Sequence, residues 1–496
     1  MPMKTWLAPL ALLAWAVAAP AAEVPRLRLG VVSDIHCQKL AEPGEDPFKV
    51  HNTATFEHAL EHFREIGVDA VVIPGDLANL GLISEMEDVA KAWFRVFPGD
   101  RGKDGRKVER IIIYGNHDMG GYPWVRGRYK TEDEARPFML LTNREAAWER
   151  IWGEKYEPVF IKDVKGYKFV GAHWCSRGCT GRGERFNPYL AEFYGKHADE
   201  LKGTKPFFHV QHPHPKDTCY GPWAWGYDEG LSIAALSQFP NAIALSGHSH
   251  YTLTDERSLW QGAFTSVGTS SLRYTGMPYD EHPPAGYENT STEGKDAWRY
   301  NAAKFMGGFG SGDCRQGMLW SVYDDCIVVK RREFLSDLDV GDDWVMPLPA
   351  AESKPFAFAE RAKRFGAPRF AADACATVER IRAKNRGGAS RDGKEKIAAE
   401  EQPAVRVTVP AVVADKNARL YDLEFAAESK SGVRKAKLVV PEGFNHALAH
   451  RKAKLPSSCV FSQAELPQGE IRFVVTPRNC FGRCGAPLTT EWRKLS

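Results

Sequence analysis

The stretch AIALSGHSH, residues 242–250, closes an apolar run with two histidines that stand one residue apart. The run from Ala242 to Leu245 is typical of a buried β-strand. Side chains at positions i and i+2 of an extended chain point to the same side, with Cα atoms about 6.5–7 Å apart. The spacing of His248 and His250 therefore predicts two imidazoles directed at one place.

Four other apolar runs of the chain end in the same kind of residue. They are RLRLGVVSDIH (26–36), VDAVVIPGD (68–76), ERIIIYGNHD (109–118) and PFFHVQHPH (206–214), and their ends carry Asp34, His36, Asp76, Asn116, His117, Asp118, His212 and His214. Amphipathic helical patterns at residues 53–67 and 85–97 separate the first three runs, which predicts an α/β layer architecture. In such a fold the strand ends meet in one crevice.

The order D-x-H, G-D, G-N-H-D, H and G-H-x-H resembles the calcineurin-like metallophosphoesterase superfamily over roughly residues 27–335. The resemblance implies an α/β fold with a two-sheet β-sandwich flanked by helices, and two divalent metal ions at the strand ends. It implies that one ion is held by Asp34, His36, Asp76 and His250. It implies that the other is held by Asp76, Asn116, His212 and His248, so that Asp76 bridges the two ions. His214 is the alternative to His212.

The chemistry implied by this resemblance is hydrolysis of a phosphoric ester. Two divalent ions lower the pKa of a bridging water, and the resulting hydroxide attacks phosphorus in line. His117 is not a ligand in this pattern, and we expect it to stabilise the transition state or to protonate the leaving alkoxide. The expected substrate contacts are Asn116, His117 and Arg273. The ligand types suit Mn, Fe, Zn or Co alike.

One departure from the superfamily pattern bears on the substrate. Protein phosphatases of this superfamily have an aspartate that orients the catalytic histidine, where this chain has Asn79 in GDLAN (75–79). GDLAN is similar to bacterial phosphodiesterases of the glycerophosphodiesterase and cyclic-nucleotide type. We therefore expect a phosphodiesterase that acts on a small-molecule ester, with a phosphomonoesterase of the same fold as the alternative. A non-catalytic surface-binding protein with a relic metal site is disfavoured, because no expected ligand is missing.

The chain has 496 residues, which is too many for one ordinary core and predicts two domains. We expect the catalytic domain over residues 24–350, followed by a linker and a C-terminal all-β sandwich over residues 351–496. The stretch IRFVVTPRNCFGRCGAPLTTEW (471–492) resembles the last two strands of a fibronectin type III module. Two irregular stretches rich in aromatic residues, 120–137 and 274–312, are expected to form rims of the crevice.

The first 21 residues read as a secretory signal peptide, with Lys4, an apolar stretch and the small residues Ala19-Pro20-Ala21. Export to the periplasm or the medium follows, and the 10 cysteines are then expected to form disulfides. No later segment is apolar enough to span a membrane. The formal net charge of +3 gives no reason to expect nucleic-acid binding. The oligomeric state stays open.

Overall fold

A computed structural model describes residues 24–39, 52–175, 186–220, 227–276, 314–384, 401–413, 418–420, 422–439, 441 and 456–495. The expected signal peptide, residues 1–21, lies outside these ranges. Within them, no helix combines the length and the apolar character that crossing a membrane requires.

Residues 24–350 alternate strands and helices, as the apolar runs predict. The strands are β1 (Leu27–Val31), β2 (Ala70–Ile73), β3 (Glu109–Ile112), β4 (Val159–Val164), β5 (Tyr167–Ala172), β6 (Phe207–Val210), β7 (Ala242–Ser246), β8 (Leu259–Gln261), β9 (Thr265–Gly268), β10 (Gln316–Val322), β11 (Cys326–Glu333), β12 (Leu338–Asp339) and β13 (Trp344–Pro347). The helices are α1 (Ala54–Ile66), α2 (Ile83–Val96), α3 (Tyr122–Val125), α4 (Glu132–Ala135), α5 (Leu140–Trp152), α6 (Leu190–Lys196), α7 (Ala198–Leu201) and α8 (Leu231–Leu236).

These strands form two mixed sheets. The first has the order β12-β11-β10-β1-β2-β3, with β13 paired to β11, and β1, β2 and β3 run parallel. The second has the order β4-β5-β6-β7-β9-β8, and β5, β6, β7 and β9 run parallel. Parallel strands of a sheet end at the same edge, so each sheet presents a row of carboxyl-terminal strand ends.

The two sheets share a buried core, and helices cover their outer faces. Leu29 of the first sheet and Phe208 of the second belong to one buried cluster. Val71 of β2 belongs to another buried cluster, together with Phe63 of α1 and Trp93 of α2. Strands buried on both faces read as continuous apolar runs, which is why the sequence pattern was visible. The predicted α/β fold with more than one sheet is confirmed.

The C-terminal region is built from β-sheets. After α9 (Phe358–Arg364), its strands are β14 (Thr377–Lys384), β15 (Glu401–Val409), β16 (Asp422–Ser429), β17 (Arg434–Val439), β18 (Ser457–Ser462), β19 (Glu470–Arg478), β20 (Leu488–Thr489) and β21 (Arg493–Lys494). One sheet has the order β14-β15-β18, and the other has the order β17-β16-β19-β20 with β21 on β19. Val407 and Phe425, one from each sheet, lie in a single buried cluster. The all-β prediction is confirmed, whereas the fibronectin identity stays a prediction.

The two regions meet around Glu256, which lies six residues after His250 in the chain. Arg331 and Trp344 donate to its carboxylate, each at 3.0 Å, and Arg361 of α9 and Arg419 of the C-terminal region also donate to it. Burial would raise the pKa of Glu256, but the three guanidinium groups lower it well below its ordinary value. The C-terminal region therefore contacts the segment that leaves the GHSH strand end.

Disulfide bonds stay a prediction. Cys37, Cys175, Cys219, Cys375 and Cys480 form no disulfide with another described residue. Cys179 lies outside the described residues.

Candidate metal centre

Polar side chains converge where parallel strands of the two sheets end. In the first sheet they follow β1, β2 and β3, and in the second they follow β6 and β7. The predicted ligands at these ends are all buried: Asp34, His36, Asp76, Asn116, His212, His248 and His250. Buried carboxylates and imidazoles are costly unless a partner or a cation satisfies them, so this cluster requires an explanation.

Four of these residues form a first group. One ligand atom from each of Asp34, His36, Asp76 and His250 lies within 4.8 Å of the others. Nε2 of His250 is 3.0 Å from Oδ1 of Asp34 and 3.0 Å from Nε2 of His36. Imidazole nitrogens and carboxylate oxygens are donors that Mn, Fe, Zn and Co accept, so the group fits a divalent cation.

A second group consists of Asp76, His212 and His248. Nδ1 of His212 donates to the carbonyl of Pro74 at 2.6 Å. This hydrogen bond fixes the tautomer, so the lone pair of Nε2 is the one that can coordinate a metal. That Nε2 is 3.1 Å from Oδ2 of Asp76 and 2.9 Å from Oδ1 of Asn116. Asp76 belongs to both groups, so its carboxylate is placed where it could bridge two cations.

The alternative histidine, His214, lies elsewhere. Its Nδ1 is 2.7 Å from Oγ of Ser246 and its Nε2 is 2.6 Å from Oγ of Ser249. Both ring nitrogens are thus engaged by hydroxyl groups. The structure places His212, not His214, next to Asp76. His214 instead hydrogen-bonds to the serines before and after His248 in the chain.

The backbone at these strand ends is strained. Positive φ angles occur at Asp34 (53°), His36 (49°), Asp76 (55°), His248 (71°) and His250 (56°). Left-handed backbone costs a non-glycine residue about 1–3 kcal/mol and persists where the surroundings enforce it, often at functional sites. Five of the seven predicted ligands thus have left-handed backbone, as do six described non-glycine residues that are not predicted ligands.

Two glycines allow the strand ends to approach each other. A Cβ atom on Gly115 would collide with the carboxylate of Asp76, and one on Gly247 would collide with Ser33 and with the carboxylate of Asp34. Any larger residue at these positions would displace a predicted ligand. The glycines of the G-N-H and G-H-x-H patterns are thus required by space.

Residues 27–252 match the family model for calcineurin-like phosphoesterases. This stretch is a calcineurin-like phosphoesterase domain. The match spans every predicted metal ligand and His117, and it ends before Arg273. The chain is accordingly a phosphoric ester hydrolase.

Several solved structures are similar to this chain. A dimetal phosphatase from Danio rerio is 12% identical with a TM-score of 0.36, over 65% of this chain and 99% of that chain. A predicted phosphoesterase from Streptococcus pneumoniae is 12% identical with a TM-score of 0.26, over 65% and 97%. Vps29 complexed with zinc from Entamoeba histolytica is 9% identical with a TM-score of 0.28, over 65% and 99%. A search of curated proteins found no match.

The carboxylates of Asp34 and Asp76 are ionised. Burial would raise the pKa of Asp76, but His212, His117 and His36 together lower it below its ordinary range. Burial likewise opposes ionisation of Asp34, and His250 outweighs it, so the pKa of Asp34 is also lowered. Both groups are therefore negative near neutral pH, as metal binding requires.

Asp118 holds two of the strand ends together. Its carboxylate accepts hydrogen bonds from the backbone N–H groups of Gly115 at 2.7 Å and Ala78 at 2.7 Å. Burial and the charge of Asp76 raise the pKa of Asp118 to about 8. The sequence groups Asp118 with possible metal donors, but its carboxylate binds the backbone beyond the ends of β2 and β3.

His117 lies beside the cluster and is partly exposed. Its Nδ1 is 2.8 Å from the backbone carbonyl of Asn79, so Nδ1 carries the hydrogen and Nε2 is the atom left to exchange a proton. Its backbone N–H donates to Oδ1 of Asp76 at 2.8 Å. Burial lowers the pKa of His117, although the charge of Asp76 opposes that shift. The sequence has Asn79 where the phosphatase pattern has aspartate, and the backbone carbonyl of Asn79 contacts the ring instead.

Arg273 lies on the other side of Asn79. Its Nη1 donates to Oδ1 of Asn79 at 2.7 Å. Arg273 and Tyr274 are partly exposed, and the ring of Tyr274 lies 4.4 Å from that of His250. The structure thus places the sequence-predicted Arg273 at the edge of the cluster, next to the predicted ligands.

Sequence reasoning missed two tryptophans that line the cluster. Trp124 of α3 contacts His117, with ring centroids 4.2 Å apart, and Trp174 lies 5.8 Å from His248. Trp124 belongs to the irregular stretch 120–137 that was expected to form a rim, which was the only available signal. Trp174 simply follows β5, and nothing in its sequence neighbourhood distinguishes it. The stretch 277–313 lies outside the described residues.

Proposed function

We propose that this chain is a dinuclear metal-dependent phosphodiesterase that hydrolyses a small-molecule phosphoric diester. The observation that supports it most is the position of Asp76, which belongs to both groups of metal-ligand atoms. A carboxylate shared by two donor sets is the arrangement that a pair of neighbouring cations requires. A single-metal site would leave one buried donor group without a cation.

The proposed ligand assignment follows the geometry. One ion would be held by Asp34, His36, Asp76 and His250, and the other by Asp76, Asn116, His212 and His248. Two bound divalent ions supply an activated water nucleophile and neutralise charge on the phosphate. The remaining chemistry belongs to side chains around them.

His117 is proposed to handle the proton of the leaving group. The hydrogen bond from Nδ1 of His117 to the Asn79 carbonyl leaves Nε2 available for proton transfer. The partial exposure of the residue leaves it accessible to substrate. Burial favours the neutral ring, and the negative charge of a bound ester favours the protonated ring. In the complex, Nε2–H can therefore donate to the leaving oxygen.

Arg273 is proposed to bind a non-bridging phosphate oxygen. Guanidinium groups bind phosphate oxygens through charge-assisted hydrogen bonds. Arg273 lies close enough to Asp34 and Asp76 for their charges to act on its pKa. Asn116 is proposed to contact the substrate as well, since its Oδ1 lies 2.9 Å from Nε2 of His212 and it precedes His117 in the chain. The preference for a diester is supported by the GDLAN sequence, which places Asn79 where protein phosphatases have aspartate.

A substrate panel tests this proposal. The purified chain, loaded separately with Mn, Zn, Fe and Co, would be assayed on bis(4-nitrophenyl) phosphate and on 4-nitrophenyl phosphate. We expect a higher kcat/KM for the diester. A higher kcat/KM for the monoester would establish the phosphomonoesterase alternative. Full metal loading without hydrolysis of either ester would support a binding protein with a relic site.

We also propose that the protein is exported, on the grounds of the charge and apolar pattern of residues 1–21. N-terminal sequencing of the mature protein, expressed in a bacterium and recovered from the periplasm or medium, should begin at or near Ala22. A full-length N-terminus on cytoplasmic protein would refute export.

A further inference from the structure

Asn79 makes one contact through its backbone and a different contact through its side chain. Its backbone carbonyl accepts from Nδ1 of His117 at 2.8 Å, and its side-chain Oδ1 accepts from Nη1 of Arg273 at 2.7 Å. Arginine can only donate, so the amide atom that faces it is the oxygen. The side chain that stands in the position of the phosphatase aspartate therefore serves Arg273, not His117.

The backbone around Arg273 is also fixed. The Ser271 hydroxyl donates to the carbonyl of Asp34 at 3.2 Å and accepts from the N–H of Arg273 at 2.9 Å. The N–H of Leu272 donates to the carbonyl of Ser33 at 2.9 Å. The segment that carries Arg273 is thus pinned to the strand end that carries Asp34, while Asn79 fixes the guanidinium itself.

A neutral amide holds a guanidinium without adding negative charge. A carboxylate at the same atom would form an ion pair, which would draw the positive charge of Arg273 toward residue 79 and away from the substrate. The amide and the carboxylate are nearly the same size, so the difference between them is electrostatic. Asparagine at this position preserves the attraction of Arg273 for an anion.

We propose that Asn79 is a specificity-determining positioning residue that directs the guanidinium of Arg273 to the non-bridging oxygens of an anionic phosphoric ester. This inference rests on the proposed function of the site. It predicts the opposite of what the phosphatase pattern suggests. If Asn79 were a weakened support for His117, then aspartate would improve catalysis. If Asn79 serves Arg273, then aspartate weakens binding of the ester.

The variants that test the inference are Asn79→Asp, Arg273→Gln and the combination of the two. We expect each single variant to raise KM for bis(4-nitrophenyl) phosphate about 10-fold, as for the loss of one charge-assisted contact. We expect kcat to change less than about threefold, because the backbone carbonyl of residue 79 that holds His117 is retained. The double variant should lose far less than the product of the two single losses, since both changes act through the guanidinium of Arg273.

Calorimetric titration of the metal-loaded proteins with inorganic phosphate gives a readout that does not need turnover. Both single variants should bind phosphate about 10-fold more weakly than the wild type, with unchanged Tm and metal content. Phosphate affinity or kcat/KM that is unchanged or higher in Asn79→Asp would overturn the inference, as would additive losses in the double variant. A wild type that binds phosphate but hydrolyses no ester would refute the proposed function alone, and the titrations would still decide the role of Asn79.

Discussion

The substitution His117→Ala isolates the proton-transfer step from metal binding. The backbone N–H of His117 donates to Asp76, its side chain is partly exposed, and the residue belongs to neither group of ligand atoms. Alanine retains the backbone contact and removes only the ring. Metal content should therefore stay at the wild-type value, as measured by elemental analysis after dialysis.

The loss of turnover should depend on the leaving group. General acid–base catalysis contributes about 10²–10⁴-fold, so His117→Ala should lower kcat by that range for an alkyl diester whose alkoxide must be protonated. A nitrophenolate leaves without a proton, so the decrease in kcat that His117→Ala causes should be at least tenfold smaller for a nitrophenyl ester. A factor of ten corresponds to about 1.4 kcal/mol in activation free energy. The assay compares kcat for methyl 4-nitrobenzyl and bis(4-nitrophenyl) phosphates at saturating substrate.

A matched control comes from His58→Ala, because His58 is a partly exposed histidine that pairs with Asp337 and belongs to neither group of ligand atoms. This control should leave kcat unchanged for both esters. Equal losses for good and poor leaving groups in His117→Ala would refute the acid role and leave His117 as an electrostatic contact to the phosphate. Loss of metal in that variant would show that the ring is itself a ligand.

Two further substitutions probe the packing around the site. Gly115→Ala should weaken metal retention during dialysis, because the added Cβ collides with the Asp76 carboxylate; unchanged metal content would show that the strand ends can move apart. Glu256→Gln should lower the free energy of unfolding by about 3–5 kcal/mol at pH 7, since it leaves buried Arg331 and Arg361 without their carboxylate. The folded pKa of Glu256 is below its ordinary value of 4.5, so its contribution is full above about pH 4.5 and declines as pH falls toward the folded pKa. The stability gap between wild type and Glu256→Gln should accordingly narrow on acidification in urea titrations, and a constant gap would contradict this assignment.

Much of the catalytic fold could be predicted because its strands are buried on both faces. Runs such as residues 70–73 are continuously apolar, and their polar ends coincide with the carboxyl ends of parallel strands. Motif spacing also predicts that the ligand types lie together, and the candidate ligand atoms lie within 4.8 Å of one another in each group. The choice of His212 over His214 also followed from the sequence, and the ring contacts of His214 with Ser246 and Ser249 agree with it.

Other features could not be predicted from the sequence because they depend on distant contacts. Asn79 and Arg273 are separated by 194 positions, and no local pattern links them. The carboxylate of Glu256 gathers arginines from both parts of the chain, so its role appears only once the C-terminal region is in place. Left-handed backbone at Asp34 and His36 is likewise invisible in a sequence, since both residue types are common in ordinary strands and loops.

The most direct test of the dinuclear account is the metal stoichiometry of Asp76→Asn beside the wild type. Asp69→Asn is the matched control, because Asp69 precedes the same strand β2 at its other end and pairs with Arg106 and Lys165. After loading and exhaustive dialysis, elemental analysis should give two divalent ions per chain for the wild type and for Asp69→Asn. Asp76→Asn should retain at most one ion, with nearly all hydrolysis lost, because the amide removes the one negative charge shared by both donor groups. Two retained ions and substantial turnover in Asp76→Asn, or a single ion in the fully loaded wild type, would contradict the bridging role of Asp76.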